Sequence, residues 1–146
     1  MLYIIAEEED EHHPIGVIRL VPPPHEPHEE INGEYDLSHE PYIKLTRVAV
    51  LSEYRGLGFA RKLVEVALDW AVKRRQEIDD AAAQVAFPGD GEAKSKNWQG
   101  LVLVHAQVPV EKMYAHMGFR TDQSLGRWIE EGIEHVGMWR RLYFSS

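Results

Sequence analysis

Val48-Ala49-Val50-Leu51-Ser52-Glu53-Tyr54-Arg55-Gly56-Leu57-Gly58-Phe59-Ala60 is the stretch on which the fold turns. A β-branched apolar run stops there, and a short glycine turn opens directly into a segment of helical periodicity. Gly56 and Gly58 let the backbone approach a ligand with no side chain in the way. The helix behind them offers unpaired N–H groups and the positive end of its dipole, which together attract an anion. Strand, glycine turn and helix are thus aimed at a phosphate-bearing ligand. The plainer alternative is an ordinary strand-to-helix turn.

Spacing narrows the ligand. A Walker-type loop ends in Gly-Lys-Ser/Thr, and none is present here. A dinucleotide fingerprint needs a third glycine where Arg61 stands. What fits is Arg-x-x-Gly-x-Ala, read as Arg55, Gly58 and Ala60. That pattern resembles the acetyl-CoA pyrophosphate loop of the GNAT superfamily of N-acetyltransferases.

A second motif agrees. Leu101-Val102-Leu103-Val104-His105-Ala106-Gln107 is a buried-strand run, followed by Val110-Glu111-Lys112-Met113-Tyr114-Ala115-His116-Met117-Gly118-Phe119. This resembles the superfamily's second CoA motif, with Tyr114 and Gly118-Phe119 at its spacing. Gln107 stands where many members carry Asn, and Val110 where they carry Ala. The tail, Trp128 to Met138, resembles the closing hairpin of the ElaA-like branch.

The resemblance implies a mixed α/β fold in the order β-β-β-α-β-α-β-β. Its sheet is mostly antiparallel, of the acyl-CoA N-acyltransferase type, with a splayed parallel strand pair that binds CoA. It implies that backbone groups of Val48 and Val50 pair with pantetheine, that one of their N–H groups polarises the thioester carbonyl, and that Gln107 contacts the same arm. Arg55, Gly56, Leu57, Gly58, Phe59, Ala60 and Arg61 would hold the pyrophosphate. The activity implied is acetyl transfer from acetyl-CoA to a primary amine by direct attack in a ternary complex, an acyltransferase of the EC 2.3.1 type. Tyr114 would protonate the leaving thiolate, or else simply pack the short helix.

An ammonium acceptor must lose a proton before it attacks. His105 and His135 are candidate bases, since imidazole titrates near neutrality, although structural roles are open for both. Glu53 and Glu134 are weaker candidates. His12-His13 and His25 with His28 lack a third-ligand pattern, so no metal is expected. Trp128 and Trp139 line an acceptor pocket or fill the core, and strand-spaced aromatics favour packing.

At 146 residues the chain is one domain, 1–146, and 44% hydrophobic residues argue against wholesale disorder. The formal charge of −8, from 24 acidic and 16 basic residues, disfavours nucleic-acid or anionic-membrane partners. It suits a cationic acceptor, small molecule or peptide, or it serves solubility alone. Arg55, Arg61 and Lys62 supply local basicity at the loop. No cysteine is present, so disulfides and thiolate sites are excluded. With no apolar run of membrane-span length and no secretory signal pattern, the expected location is cytoplasmic.

Met1–Ala6 and Ile15–Val21 read as a hairpin around the charged run Glu7–His13, closed by Pro22-Pro23-Pro24. His25–Glu40 reads as loop, Tyr42–Val50 as the third strand, and 58–75 as a helix with Leu63, Val66, Ala67 and Trp70 facing the sheet. Residues 76–98 read as a mostly mobile insertion with one or two helical turns. Strands are expected near 120–128 and 135–142, joined at Glu130-Glu131-Gly132. The resemblance spans Leu2–Leu142 and omits the strand and helices that usually precede this hairpin. The expectation is a chain lacking part of its acceptor half, with an exposed edge strand favouring a homodimer. A second function stays open: a CoA-binding or interaction module with the transferase fold but no catalysis. A third is a non-enzymatic α/β domain.

Overall fold

Alternating and continuous apolar runs sort this chain into strands that share one sheet. In the computed structural model, which describes residues 2–7, 14–23, 40–85 and 97–144, the strands are β1 (Leu2–Glu7), β2 (Pro14–Val21), β3 (Ile43–Val50), β4 (Leu101–Gln107), β5 (Arg120–Thr121), β6 (Arg127–Glu130) and β7 (Ile133–Arg141). Helices α1 (Phe59–Lys73) and α2 (Arg75–Val85) lie between β3 and β4, and α3 (Glu111–His116) follows β4. The sheet runs β1-β2-β3-β4-β7, with β5 and β6 both paired to β7. Every pairing is antiparallel except β3 with β4.

The parallel strand β4 reads as continuous apolar sequence because both of its faces are covered. Val102, Val104 and Ala106 join the main core, where Leu63, Val64, Ala67, Leu68 and Ala71 of α1 pack with Ile43 and Leu45 of β3. Leu101 and Leu103 point the other way, into a smaller cluster with Tyr42 and Leu125 that Trp128 and Trp139 cover. Trp139 meets Tyr42 edge-on at 5.0 Å and donates its indole N–H to Asp122 at 2.9 Å. Both tryptophans therefore serve this second cluster.

Three details depart from the sequence reading. The buried stripe of α1 is rotated: Val66 is 41% exposed, and Val64 and Leu68 take the inward positions instead. Trp70 is half-buried, with the Arg74 guanidinium 5.6 Å over its ring. The segment after Arg74 is a full helix, α2, whose Ile78 enters the main core. Asp79 also accepts the Trp98 backbone N–H at 2.8 Å, which ties the start of the next segment to that helix. Residues 86–96, most of the remaining expected insertion, lie outside the described residues. The single strand expected near 120–128 is two, because Asp122 turns the chain. Its carboxylate accepts Ser124 N–H at 3.0 Å and Ser124 O–H at 2.6 Å, and a 3-10 turn over Gln123–Leu125 follows. Asp, Ser and Gly126 are turn chemistry that the strand reading passed over. The β6–β7 hairpin closes as expected, through Glu131 and Gly132 at φ 51° and 78°, the positive pair that a tight two-residue hairpin requires.

Gly100 opens β4 at φ 96°, and an added Cβ would stand 2.1 Å from the Leu142 carbonyl oxygen. The strain and the clash act together. Gly100→Ala should lower unfolding free energy by about 3 kcal/mol or more, measured by urea denaturation. A loss below about 1 kcal/mol would show that this crossing is not rigid.

Candidate functional site

The β3/β4 ladder is short. Its register pairs Ile43 with Val102, Lys44 with Leu103 and Leu45 with Val104, and stops there. Beyond that point each strand keeps its outer neighbour: β3 stays paired to β2 as far as Val50↔Gly16, and β4 to β7 as far as Gln107↔His135. The inner edges therefore diverge. The cause lies in β3, where Arg19 opposes Thr46 but Val17 opposes Ala49, so one extra residue is inserted. Arg47 takes it up at φ 55°, and such a bulge bends and twists its strand away from the neighbour. Nothing in the composition of Thr46-Arg47-Val48 announces a bulge, and sequence reading missed it.

Leu51 N–H donates to the Ile15 carbonyl at 2.8 Å, so residue 51 turns its backbone toward β2. By strand alternation, Val50 and Val48 turn theirs toward the opening. The Val50 carbonyl accepts Arg55 Nε–H at 3.0 Å, which leaves the N–H of Val50 and the backbone of Val48 on that edge. Unpaired strand-edge groups of this kind are satisfied by an extended chain with amides of its own.

The glycine turn follows immediately. Gly56 and Gly58 hold φ 80° and 84°, and an added Cβ at either would meet no atom within 4 Å. Open space and left-handed backbone coincide at Gly58, which caps α1 without any side-chain hydrogen bond. The first bond of the helix is Lys62 N–H to the Gly58 carbonyl at 3.0 Å, so Phe59, Ala60 and Arg61 precede the first residue with an intrahelical donor bond. Leu57, Arg55 and Lys62 are exposed around them, and Arg61 pairs with Glu65 at 3.2 Å. Amides, a dipole end and exposed cations suit a diphosphate.

Tyr114 sits on α3 at 2% exposure, edge-on to Phe119 at 5.6 Å. Burial pushes its phenol up to about 12. The phenol therefore keeps its proton at neutral pH and is a far weaker acid than an ordinary thiol near 8.5. It can donate a hydrogen bond to a thiolate, but complete proton transfer is uphill.

His105 and His135 are brought together on the face of the sheet that carries the smaller apolar cluster, opposite α1. His105 Nδ1 lies 3.0 Å from Glu130 Oε1, and its ring meets Trp128 edge-on at 5.0 Å. His135 stacks on Trp128 at 6.3 Å and 23°, with Nε2 3.9 Å from Glu130 Oε2. Trp128 donates its indole N–H to Glu130 Oε1 at 2.7 Å. Burial tends to raise the Glu130 carboxyl. The Trp128 hydrogen bond and the positive charge of His105 and His135 when protonated outweigh that and hold it below the usual carboxylate range. Lys44 of β3 also feels this carboxylate, yet burial first and then Arg19 keep its ammonium below the ordinary lysine value. Sequence reading treated Glu130 only as turn chemistry. The available signal was its two-residue spacing from Trp128, which puts both on one strand face. Glu53 is exposed on the 3-10 turn before Arg55, and Glu134 pairs with Arg127 at 3.2 Å; neither belongs to the cluster. His12, His13, His25 and His28 lie outside the described residues. Among the described residues no group of three His, Cys, Asp or Glu is placed to hold a metal ion.

The two raised phenols set a sign for alkaline stability. Tyr42 and Tyr114, both near 12 by burial, ionise in the unfolded chain near 10. Stability is complete below pH 10 and is lost as pH rises toward 12. Tyr114→Phe should remove about 1 kcal/mol per pH unit from that alkaline slope, read from urea midpoints across the range. An unchanged slope would mean that Tyr114 is solvated.

Among solved structures the fold is similar to an acyl-CoA N-acyltransferase from Pseudomonas aeruginosa. There the identity is 20%, the TM-score 0.56, and the match covers 94% of this chain and 66% of that one. Escherichia coli ElaA matches at 18% identity and TM-score 0.57, covering 95% of this chain and 67% of its own. The NatC complex bound to Gag peptide and CoA matches at 19% and 0.57, covering 96% and 70%. The chain thus spans about two thirds of the length of these relatives. No curated protein matches it. The acetyltransferase (GNAT) family matches residues 1–86, the part that holds β1 to β3, the glycine turn, α1 and α2. With the interrupted parallel ladder and the uncapped helix in place, the chain belongs to the acetyltransferase (GNAT) family.

Proposed function

We propose that this protein is an acetyl-CoA-dependent N-acetyltransferase that passes the acetyl group directly to a primary amine, carried by a small molecule or a peptide. One observation carries the reading: the β3/β4 ladder ends at Leu45↔Val104, and the freed β3 edge runs straight into an uncapped helix N-terminus. An extended amide-bearing arm and a diphosphate, joined in one ligand, match that order of groups. Acetyl-CoA supplies the activated acyl group when bound.

In this reading the amides from Gly56 to Arg61 hold the pyrophosphate, with Arg55 and Lys62 adding charge. The Val50 N–H and the backbone of Val48 align the pantetheine arm, and one of these N–H groups polarises the thioester carbonyl as a fixed donor does in an oxyanion hole. Gln107, at the end of β4, contacts the arm from the other side. Holding both substrates in one cleft supplies most of the advantage. Tyr114 stabilises the leaving thiolate by a hydrogen bond. His105 and His135 serve the acceptor's proton. The same reading takes 1–146 as one domain, locates it in the cytoplasm, and has the β1 edge as the surface for a homodimer.

A second reading has one observation behind it. Tyr114 is buried in the main core at 2% exposure, which withholds its phenol from reacting atoms and suits a CoA-binding module without turnover. The two separate cleanly, since such a module binds acetyl-CoA but releases no thiol with any amine.

Gly58→Trp tests the loop. The indole enters open space, and the φ of 84° strains any side chain there by about 1–2 kcal/mol, so the fold should survive at reduced stability while acetyl-CoA affinity measured by calorimetry falls by about a hundredfold or more. Equal affinity in the variant would sink the assignment. Tyr114→Phe should cut turnover by about tenfold with acetyl-CoA affinity within about twofold of the parent. Parental turnover would remove Tyr114 from the chemistry.

A further inference from the structure

The cluster at Glu130 contains a position that its own members leave unfilled. His135 Nδ1 lies 2.8 Å from the Ile133 carbonyl oxygen. A carbonyl only accepts, so Nδ1 carries the hydrogen, and in the neutral ring Nε2 is a lone-pair acceptor. That acceptor faces Glu130 Oε2 at 3.9 Å, beyond hydrogen-bond reach. Among the described residues the donors that reach Glu130, the Trp128 indole N–H and His105 Nδ1, act on its Oε1, and the Lys44 ammonium acts on the carboxylate through its charge. Two acceptors held face to face in this way define where a cationic N–H donor would sit. A nitrogen about 2.8 Å from each would span the gap with an angle of roughly 90° between its two bonds, close to the spread of N–H bonds on an ammonium.

Position and surroundings agree. His135 stands directly opposite Gln107 in the β4/β7 ladder, at the strand end beyond the last β3/β4 pair. The Glu130 side chain is 40% exposed and that of His135 9%, so the carboxylate meets solvent and the imidazole lies beneath it. Trp128 packs edge-on against His105 and stacks on His135, which fixes both rings beside Glu130.

We propose that Glu130 Oε2 and His135 Nε2 together receive the acceptor's ammonium, Glu130 binding its charge and His135 taking its proton. The inference rests on the acetyltransferase reading and names the acceptor end of that site. In the step, one N–H bond of the ammonium breaks and its electron pair stays on the acceptor nitrogen as the attacking lone pair. The proton bonds to Nε2, and the resulting imidazolium remains beside the Glu130 carboxylate. Trp128 and His105 are positioning residues that hold Oε1, so that Oε2 is presented.

The test uses the full chain with 15N-labelled histidine, titrated with butylammonium chloride near pH 8, where imidazole is largely neutral. The expected result is a saturable movement of the His135 Nε2 resonance. The apparent affinity should weaken by about tenfold to a hundredfold in E130Q, and H135Q, which lacks the resonance, assigns the moving signal to His135. Acetyl-CoA affinity by calorimetry should stay within about twofold of the parent in both variants. No saturable response in a chain that binds acetyl-CoA would overturn the ammonium site alone, as would an equal response in E130Q or to sodium chloride at matched ionic strength. A response in a chain with no acetyl-CoA affinity would uphold the ammonium site and overturn the transferase reading instead.

Discussion

The parallel pairing of β3 with β4 ends after Leu45↔Val104, and the rest of the site depends on where it stops. A continued ladder would leave no inward-facing amide at Val48 or Val50. It stops because Arg47 takes a positive φ and adds a residue to β3 opposite β2. A bulge costs backbone strain of order 1–3 kcal/mol. That cost is offset by the many apolar side chains that fix both strands elsewhere: Ile43, Leu45, Val102 and Val104 are wholly buried. The main core pins the paired half of the ladder, and the open half is free to differ.

Surface ion pairs contribute little to this arrangement. Arg47–Glu131 at 3.6 Å joins the bulge to the β6–β7 turn, but both partners are largely exposed. Such contacts contribute at most about 1 kcal/mol. The charges with chemical weight are the ones partly withdrawn from water. Glu130 is kept below the usual carboxylate range, against its burial, by the Trp128 indole N–H and by the positive charge of His105 and His135 when protonated, and Lys44 is discouraged from ionising by burial and by Arg19. In a chain of net charge −8, the exposed cations Arg55 and Lys62 nonetheless gather at the glycine turn, where a dipole end already favours anions.

The two faces of the sheet divide the work. One is sealed by α1, α2 and α3 and carries Tyr114 deep in its core. The other has a small apolar cluster and then turns polar toward the strand ends, where His105, Glu130 and His135 meet. The same alternation that fills the first face with Val104 and Ala106 places His105 on the second.

Local chemistry was legible in the sequence. Apolar periodicity marked β1 to β4 and α1, and the glycines at 56 and 58 marked the turn, because only glycine takes φ of 80° and 84° there without strain. The pairing of Glu131 with Gly132 marked the hairpin in the same way. The inward stripe of α1 was misread at Val66, since periodicity alone leaves the helix free to rotate by one position until a sheet selects its face. The break at Asp122 needed a hydrogen bond from Trp139, 17 residues away, to hold it. Residue types and spacing by themselves determined a strand, a glycine turn and a helix suited to an anion. Only the tertiary structure decided that the β3/β4 ladder ends early and that Glu130 stands between two histidines from different strands. Both depend on register, which is set by pairing between segments far apart in the chain.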